Sequence, residues 1–272
     1  MTTERMLMAF GAHADDLELD IGGTLFKYHD RGYAIRYVMT TNNMSGQWAR
    51  LLPDGRVDRR RPPFGEMMPQ RKLEAAAGAR ALGTEPIHLD YLQRHYVRPD
   101  GVMEVLNYGT QWPEGIAPGT PTILAAHEDP EAVTRVAEMI LGARPEAVLS
   151  HGHLGDNLEH IGSCLLVTKA YRQAAESGYT GALLYWHDIA AMTFRANYCR
   201  WDTHVDVSAE WERKLALIAL HECQKPQVEK LDFPPWGAAC GCRHAEVFDI
   251  AAEGTPPLYY TEFLAEIFHN RR

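Results

Sequence analysis

A single α/β domain, with a mostly parallel sheet and helices on both of its faces, is the fold this sequence predicts. Three observations predict it. Strand-like and helix-like segments alternate through the first half of the chain. Glycines punctuate those segments where a helix has to stop. The 272 residues lie near the upper size that one hydrophobic core serves, and neither a repeat nor a linker interrupts them, so residues 1–272 are read as one domain.

The first segment, Met6-Leu7-Met8-Ala9-Phe10, is a short apolar run ending at a glycine-containing turn, which suits a buried parallel strand. A helix is expected over 22–31, closed by Gly32. Residues 33–40, rich in aromatic and β-branched side chains, read as a second strand. The stretch 70–82 is strongly helix-forming, with Leu73, Ala76, Ala77, Arg80 and Ala81 near helical spacing and Gly83 as its stop. Ile87-His88-Leu89 gives a third strand. Residues 131–141 give a helix with Val133, Val136, Ala137 and Ile140 on one face, and 147–150 a fourth strand. Past Gly181 the pattern is less regular, with strands expected over 183–186 and 204–207 and a helix over 209–222.

Two stretches lack this rhythm. Residues 45–69 carry Arg59-Arg60-Arg61-Pro62-Pro63 and read as a long loop over a binding cleft. Residues 94–121 hold many turn formers and read as a second connection. Trp48, Tyr108, Trp112 and Trp236 fall in loop-like stretches, where one or two are expected to line the cleft.

Composition narrows the function. Apolar residues make up 46% of the chain, and no run is apolar for the ~18 residues a membrane span needs. The start, Met1-Thr2-Thr3-Glu4-Arg5, leads into the first strand without a cleavage pattern, so a cytoplasmic location is expected. A net charge of −9 argues against nucleic acid as the main partner, which leaves a small-molecule substrate, with self-association open. Five cysteines, an odd number, do not suggest a disulfide framework. Cys240 and Cys242 are spaced too tightly for the usual zinc-ligand pair, so reduced thiols are the better reading.

The chemistry concentrates in two places. Gly11-Ala12-His13-Ala14-Asp15-Asp16-Leu17-Glu18 follows the first strand, and ligands of open parallel sheets bind outside the carboxyl ends of the strands. An imidazole and three carboxylates crowded into one turn call for a balancing cation, and His with Asp is an ordinary zinc set. His151-Gly152-His153-Leu154-Gly155-Asp156-Asn157-Leu158-Glu159-His160 follows another strand candidate and reaches the same edge. It supplies the further neutral ligand that a catalytic metal site with an open position requires.

At these residues the sequence resembles the LmbE-like (PIG-L) deacetylases. His13-Ala14-Asp15-Asp16-Leu17-Glu18 is similar to the family's A-H-P-D-D-x-E signature, with Ala14 in place of proline, and Glu159-His160 to the end of its H-x-D-H motif. Arg71, Glu74 and Leu82-Gly83 resemble its R-x-x-E…LG helix. Asp206, Ser208, Lys214, Ala219, Leu220, His221 and Gln224 resemble its D-x-[ST]…K…AL…H-x-S-Q segment, and His244-Ala245-Glu246-Val247-Phe248 its closing Y-A-E-x-F. The resemblance implies a Rossmann-like fold and one zinc ion that hydrolyses the acetamide of an N-acetylglucosamine-type sugar or conjugate. It maps the metal to His13, Asp16 and His160, the general base to Asp15, and substrate contacts to Arg71, Asp90 and His244. Fe²⁺ or another divalent ion fits the same donors.

The chain departs from that pattern at Asn157, where the family has histidine, and at Glu159, where it has aspartate. Asn157 is able to donate to an oxyanion but not to act as an acid, so His153, ahead of His151, is expected to protonate the leaving amine. Two other readings compete: a degenerate zinc-containing relative that binds sugar without turnover, and a nucleotide enzyme. The latter lacks G-x-G-x-x-G after the first strand, and Gly22-Gly23 comes too late for a phosphate cradle.

Overall fold

The computed structural model describes residues 5–46, 48–106, 112–152, 157–187, 201–222 and 236–251. Its centre is a seven-stranded sheet in the order β10-β11-β9-β8-β1-β2-β5. The strands are β1 (Met6–Gly11), β2 (Ala34–Thr41), β5 (Ile87–Tyr91), β8 (Ala147–His151), β9 (Ala182–Trp186), β10 (Thr203–Asp206) and β11 (Ala245–Ile250). β1 pairs in parallel with both β2 and β8, whereas β11 runs antiparallel between β9 and β10.

The expected strand and helix alternation positions all of this. Along β1, Met8 and Phe10 enter one core while Leu7 and Ala9 enter the other, the period of two of a strand buried on both faces. On the first face lie α3 (Ile123–Ala126), α4 (Pro130–Ala143) and α5 (Leu158–Glu176), which bring Val136, Ile140, Leu166 and Val167. On the second lie α1 (Asp16–Asp30), α2 (Phe64–Ala81) and α6 (Trp211–Ile218), with Leu17, Ile21, Leu25, Ala75 and Leu217. Gly23 of α1 approaches Val207 so closely that a Cβ there would overlap its side chain. Gly22-Gly23 is therefore a packing feature.

Several boundaries differ from the sequence reading. α1 begins at Asp16 rather than near Gly22, because the acidic turn is already its first turn, where negative side chains favour the helix dipole. α2 starts at Phe64 behind Pro63 and carries Pro69 within it, so the expected long loop is shorter. That loop also holds the hairpin β3 (Trp48–Leu51) and β4 (Val57–Arg60). The second connection holds β6 (His95–Val97) and β7 (Met103–Val105). The short α7 (Trp236–Cys240) precedes β11. Among the described residues no helix is long and apolar enough to cross a membrane.

His127, at the end of α3, illustrates how this packing answers to pH. It is 8% exposed, and burial, aided by nearby Lys169, lowers its pKa from 6.5 to about 4. Between those values the unfolded chain binds a proton that the folded one refuses, so stability falls as pH drops through this window. The full difference is on the order of 3 kcal/mol. Urea unfolding at pH 7 and pH 4.5 is expected to show a smaller loss for His127→Gln than for the parent. Equal losses would remove His127 from the acid response.

Candidate active site

The order of the sheet reverses at β1 and β8, since the chain proceeds from β1 to β2 on one side and later builds β8 and β9 on the other. Such a switch point opens a crevice at the carboxyl ends of the two strands. The loop after β1 is fixed there by its own neighbours. Thr41 donates from its hydroxyl to the Ala12 carbonyl at 2.6 Å, and the Ala14 N–H donates to Asn43 Oδ1 at 2.7 Å.

Asp15 then takes φ 125°, a backbone region that costs a non-glycine residue about 1–3 kcal/mol and needs holding in place. Arg71, 4% exposed on α2, does the holding. One guanidinium nitrogen donates both to the Ala14 carbonyl and, at 2.7 Å, to Asp15 Oδ1. Next comes Asp16, the first residue of α1, whose Oδ2 accepts the His13 N–H at 2.6 Å.

From the other side, α5 opens with Asn157 as its N-cap and brings His160 in its first turn. His13, Asp16 and His160, all nearly buried, then form a triangle of donors. His13 Nδ1 is 3.1 Å from His160 Nε2, His160 Nε2 is 3.4 Å from Asp16 Oδ1, and His13 Nδ1 is 3.5 Å from Asp16 Oδ2. Ligands at about 2.0–2.1 Å from a tetrahedral ion stand roughly 3.3 Å apart. These closest approaches, two of which end on different Asp16 oxygens, lie near that spacing, so the three residues fit a divalent metal ion.

The surroundings complete the fit. Glu159 Oε2 accepts from His13 Nε2 at 2.6 Å, which leaves Nδ1 to face the triangle. Carboxylate partners of this kind fix the tautomer and orientation of a ligating histidine. Glu159 is itself held by the Arg94 N–H at 2.6 Å and by Gln93 Nε2 at 3.2 Å. Burial would raise its pKa, but the His13 hydrogen bond and charge outweigh that and bring it down to about 2. Burial also opposes charge on His13, yet Asp16 and Glu159 lift its pKa to about 9. For Asp16, burial is likewise outweighed by His160, His13 and His151, which hold the carboxyl well below the usual range. Glu159→Gln is expected to weaken metal binding roughly 10- to 100-fold, read by competition with a chelator. An unchanged affinity would show that His13 needs no such partner.

The sequence candidates divide accordingly. His13, Asp15, Asp16, Arg71 and His160 come together. Arg71 pairs with Asp15 at 2.7 Å, so its described contact is with that carboxylate. His151 is 1% exposed, and its ring stacks on His160 with centroids 4.0 Å apart. Its Nε2 stands 3.0 Å from both Asp16 Oδ2 and the Ala12 nitrogen. Asn157 spends its Oδ1 on the Glu159 N–H at 2.9 Å, and its amide nitrogen is left as the donor. His153 lies outside the described residues.

Asp90 is half exposed at the end of β5 and paired with Lys72 at 2.5 Å. His244 stacks on Trp211 at 3.9 Å, just before β11 and on the same edge of the sheet. Trp48, Trp112 and Trp236 pack into small cores, while Tyr108 falls outside the described residues. Sequence reasoning missed Glu159 as the partner of His13, Asn43 and Gln93 as loop anchors, and the ion pair of Lys214 with Glu246 at 2.5 Å. An acid adjacent to a ligand histidine was the available signal for Glu159.

Known proteins are similar to this chain in sequence or in fold. A 1D-myo-inositol 2-acetamido-2-deoxy-alpha-D-glucopyranoside deacetylase of Nocardia farcinica is 28% identical over 191 residues, 66% of this chain and 56% of the relative. The chain thus spans little more than half the length of that relative. Among solved structures, the 4-carboxy-2-hydroxymuconate hydratase GalB of Pseudomonas putida superposes with a TM-score of 0.67 at 19% identity, covering 93% of this chain and 98% of that one. The N,N'-diacetylchitobiose deacetylase of Pyrococcus horikoshii gives 0.58 at 17% identity, over 94% and 85%. A hydratase and a deacetylase on one architecture mean that the fold alone does not choose the reaction. Residues 8–171, which carry the whole donor triangle and Asp15, match the family described as GlcNAc-PI de-N-acetylase, and the chain belongs to this PIG-L family.

Proposed function

We propose that the chain is a zinc-dependent N-deacetylase that hydrolyses the acetamide of an N-acetylglucosamine-type sugar or sugar conjugate. The observation that carries this reading is the pairing of a three-donor metal triangle with an adjacent carboxylate, Asp15, that is not part of it. The family membership supports it, as does the sugar acetamide named for the Nocardia farcinica relative. The net charge of −9 favours a small-molecule substrate over nucleic acid. We read the enzyme as cytoplasmic.

An ion held by His13, Asp16 and His160 supplies what amide hydrolysis demands, a polarised carbonyl and an acidified water. The protein does the rest. Arg71 engages Oδ1 of Asp15, so Oδ2 is the atom that takes the proton of the attacking water and afterwards releases it to solvent. Burial raises the Asp15 carboxyl above the ordinary range against the pull of Arg71, and Asp16 adds to the rise. A more basic carboxylate is the better proton acceptor. The Asn157 amide nitrogen is assigned to the oxyanion, and His153, ahead of the enclosed His151, to the leaving amine.

The missing motif histidine at Asn157 also favours a second reading, a metal-containing relative that binds such sugars without turnover. Acetate release decides between them. The zinc-reconstituted chain, incubated with a panel of N-acetylated amino sugars and conjugates, is expected to free acetate from at least one and to stop when chelated. Stoichiometric zinc without acetate from any of them would favour the binding protein.

A further inference from the structure

Behind Asp15 lies a second buried cluster of charges, and it is closed by a residue from beyond the family-matched segment. Glu18, fully buried in the first turn of α1, accepts the Tyr37 hydroxyl on Oε1 at 2.8 Å. It lies against Gly78 of α2, where no Cβ would fit beside its carboxylate. Glu74, 3% exposed, stands one turn after Arg71 on the same face of α2 and accepts from Gln70 at 2.9 Å. Between the two carboxylates sits His221, 0% exposed just past α6, with Nε2 3.3 Å from Glu18 Oε1 and Nδ1 3.9 Å from Glu74 Oε2.

We infer that His221 is a positioning residue for Asp15: by bridging Glu18 and Glu74 it keeps Arg71 committed to the base. The inference rests on Asp15 being the base. Its logic is one of charge and reach. Two carboxylates taken out of water need a cation or donors beside them, because a buried unpaired charge is costly. Arg71 shares a helix face with Glu74, so it is the cation placed to turn toward Glu74 once the imidazole between the two carboxylates is removed. Turning there means leaving Asp15 Oδ1 and the Ala14 carbonyl, the two contacts that hold the left-handed turn. Burial works against charge on His221, but Glu18, Asp15 and Glu74 outweigh it and raise its pKa, in keeping with an imidazolium bridge.

The test uses the full zinc-loaded chain and its best acetamide from the panel. His221→Ala is expected to lower kcat roughly 10- to 100-fold, as a misplaced catalytic group does, with KM and zinc content unchanged. His221→Gln, which keeps one donor toward Glu18, is expected to recover part of that loss. In an Asp15→Asn background His221→Ala should change the residual rate by less than about twofold. A crystal structure of the variant should show Arg71 turned from residue 15 toward Glu74. Equal losses in both backgrounds, or an Arg71–Asp15 contact kept intact, would overturn the inference and leave His221 a packing residue. If the parent frees no acetate at all, the deacetylase reading fails, and the crystal structure alone still decides whether His221 holds Arg71. Should His221→Ala not fold, the double variant E18Q/H221Q, which removes one buried carboxylate with its partner, is read in the same way.

Discussion

Asp15→Asn should retain its zinc and lose roughly 10²- to 10⁴-fold in turnover, the usual consequence of removing a general base. The contrast with Asp16, its neighbour, is the reason the two outcomes separate. Asp16 faces three imidazoles and the His13 N–H, whereas Asp15 faces Arg71 and is excluded from the triangle. An amide at position 15 still accepts from Arg71 through its oxygen, so the turn should hold while the proton acceptor disappears. Steady-state kinetics beside elemental analysis make the measurement. If Asp15→Asn were to shed the metal and Asp16→Asn to keep it, the two carboxylates would have to exchange roles.

Asp16→Ala and His160→Ala should behave in the opposite way, losing the metal and the activity together. Each removes one of three donors, and an ion left with two protein ligands has no closed site. The loss should appear in stability as well. A ligand present at 100 times its Kd stabilises the folded state by about 2.7 kcal/mol. For a chain of this size that is on the order of 5–10 °C in Tm. Added zinc is thus expected to raise the Tm of the parent and to leave both variants where they were. A variant that still gains several degrees would show that its residue is not a ligand.

The donor triangle was legible because each ligand sits within a few residues of a strand end, and the fold brings strand ends together. His13 and Asp16 follow β1, and the second cluster follows β8, so sequence proximity to a strand stood in for proximity in space. The supports were not legible. Glu159 and His13 are 146 residues apart, and Arg71 and Asp15 are 56 apart, so apart from the position of Glu159 beside His160 nothing local announces either contact.

The same limit explains the missed elements. The first half of helix α5 buries Glu159, Ser163 and Thr168 as well as Leu165, Leu166 and Val167, so over that half it shows no polar face and no helical period. Strand β11 was missed because Glu246 interrupts its apolar run. That carboxylate is buried to receive the Gly23 and Thr24 N–H groups and Lys214. Asp90 and His244 were carried by resemblance alone, and their described partners are Lys72 and Trp211.

The tie from Glu246 to helix α1 has a consequence for how the protein is made. The partners Gly23 and Glu246 stand 223 residues apart. During synthesis at ~5–20 residues per second, α1 emerges on the order of ten to forty-five seconds before the strand that completes its outer face. Throughout that interval the first strands offer an open sheet edge and an uncovered apolar helix surface to any other nascent chain. Slow, non-local closure of this kind lengthens folding and invites misassociation. Expression yield in a host depleted of chaperones should therefore suffer early, well before any defect appears in the purified protein.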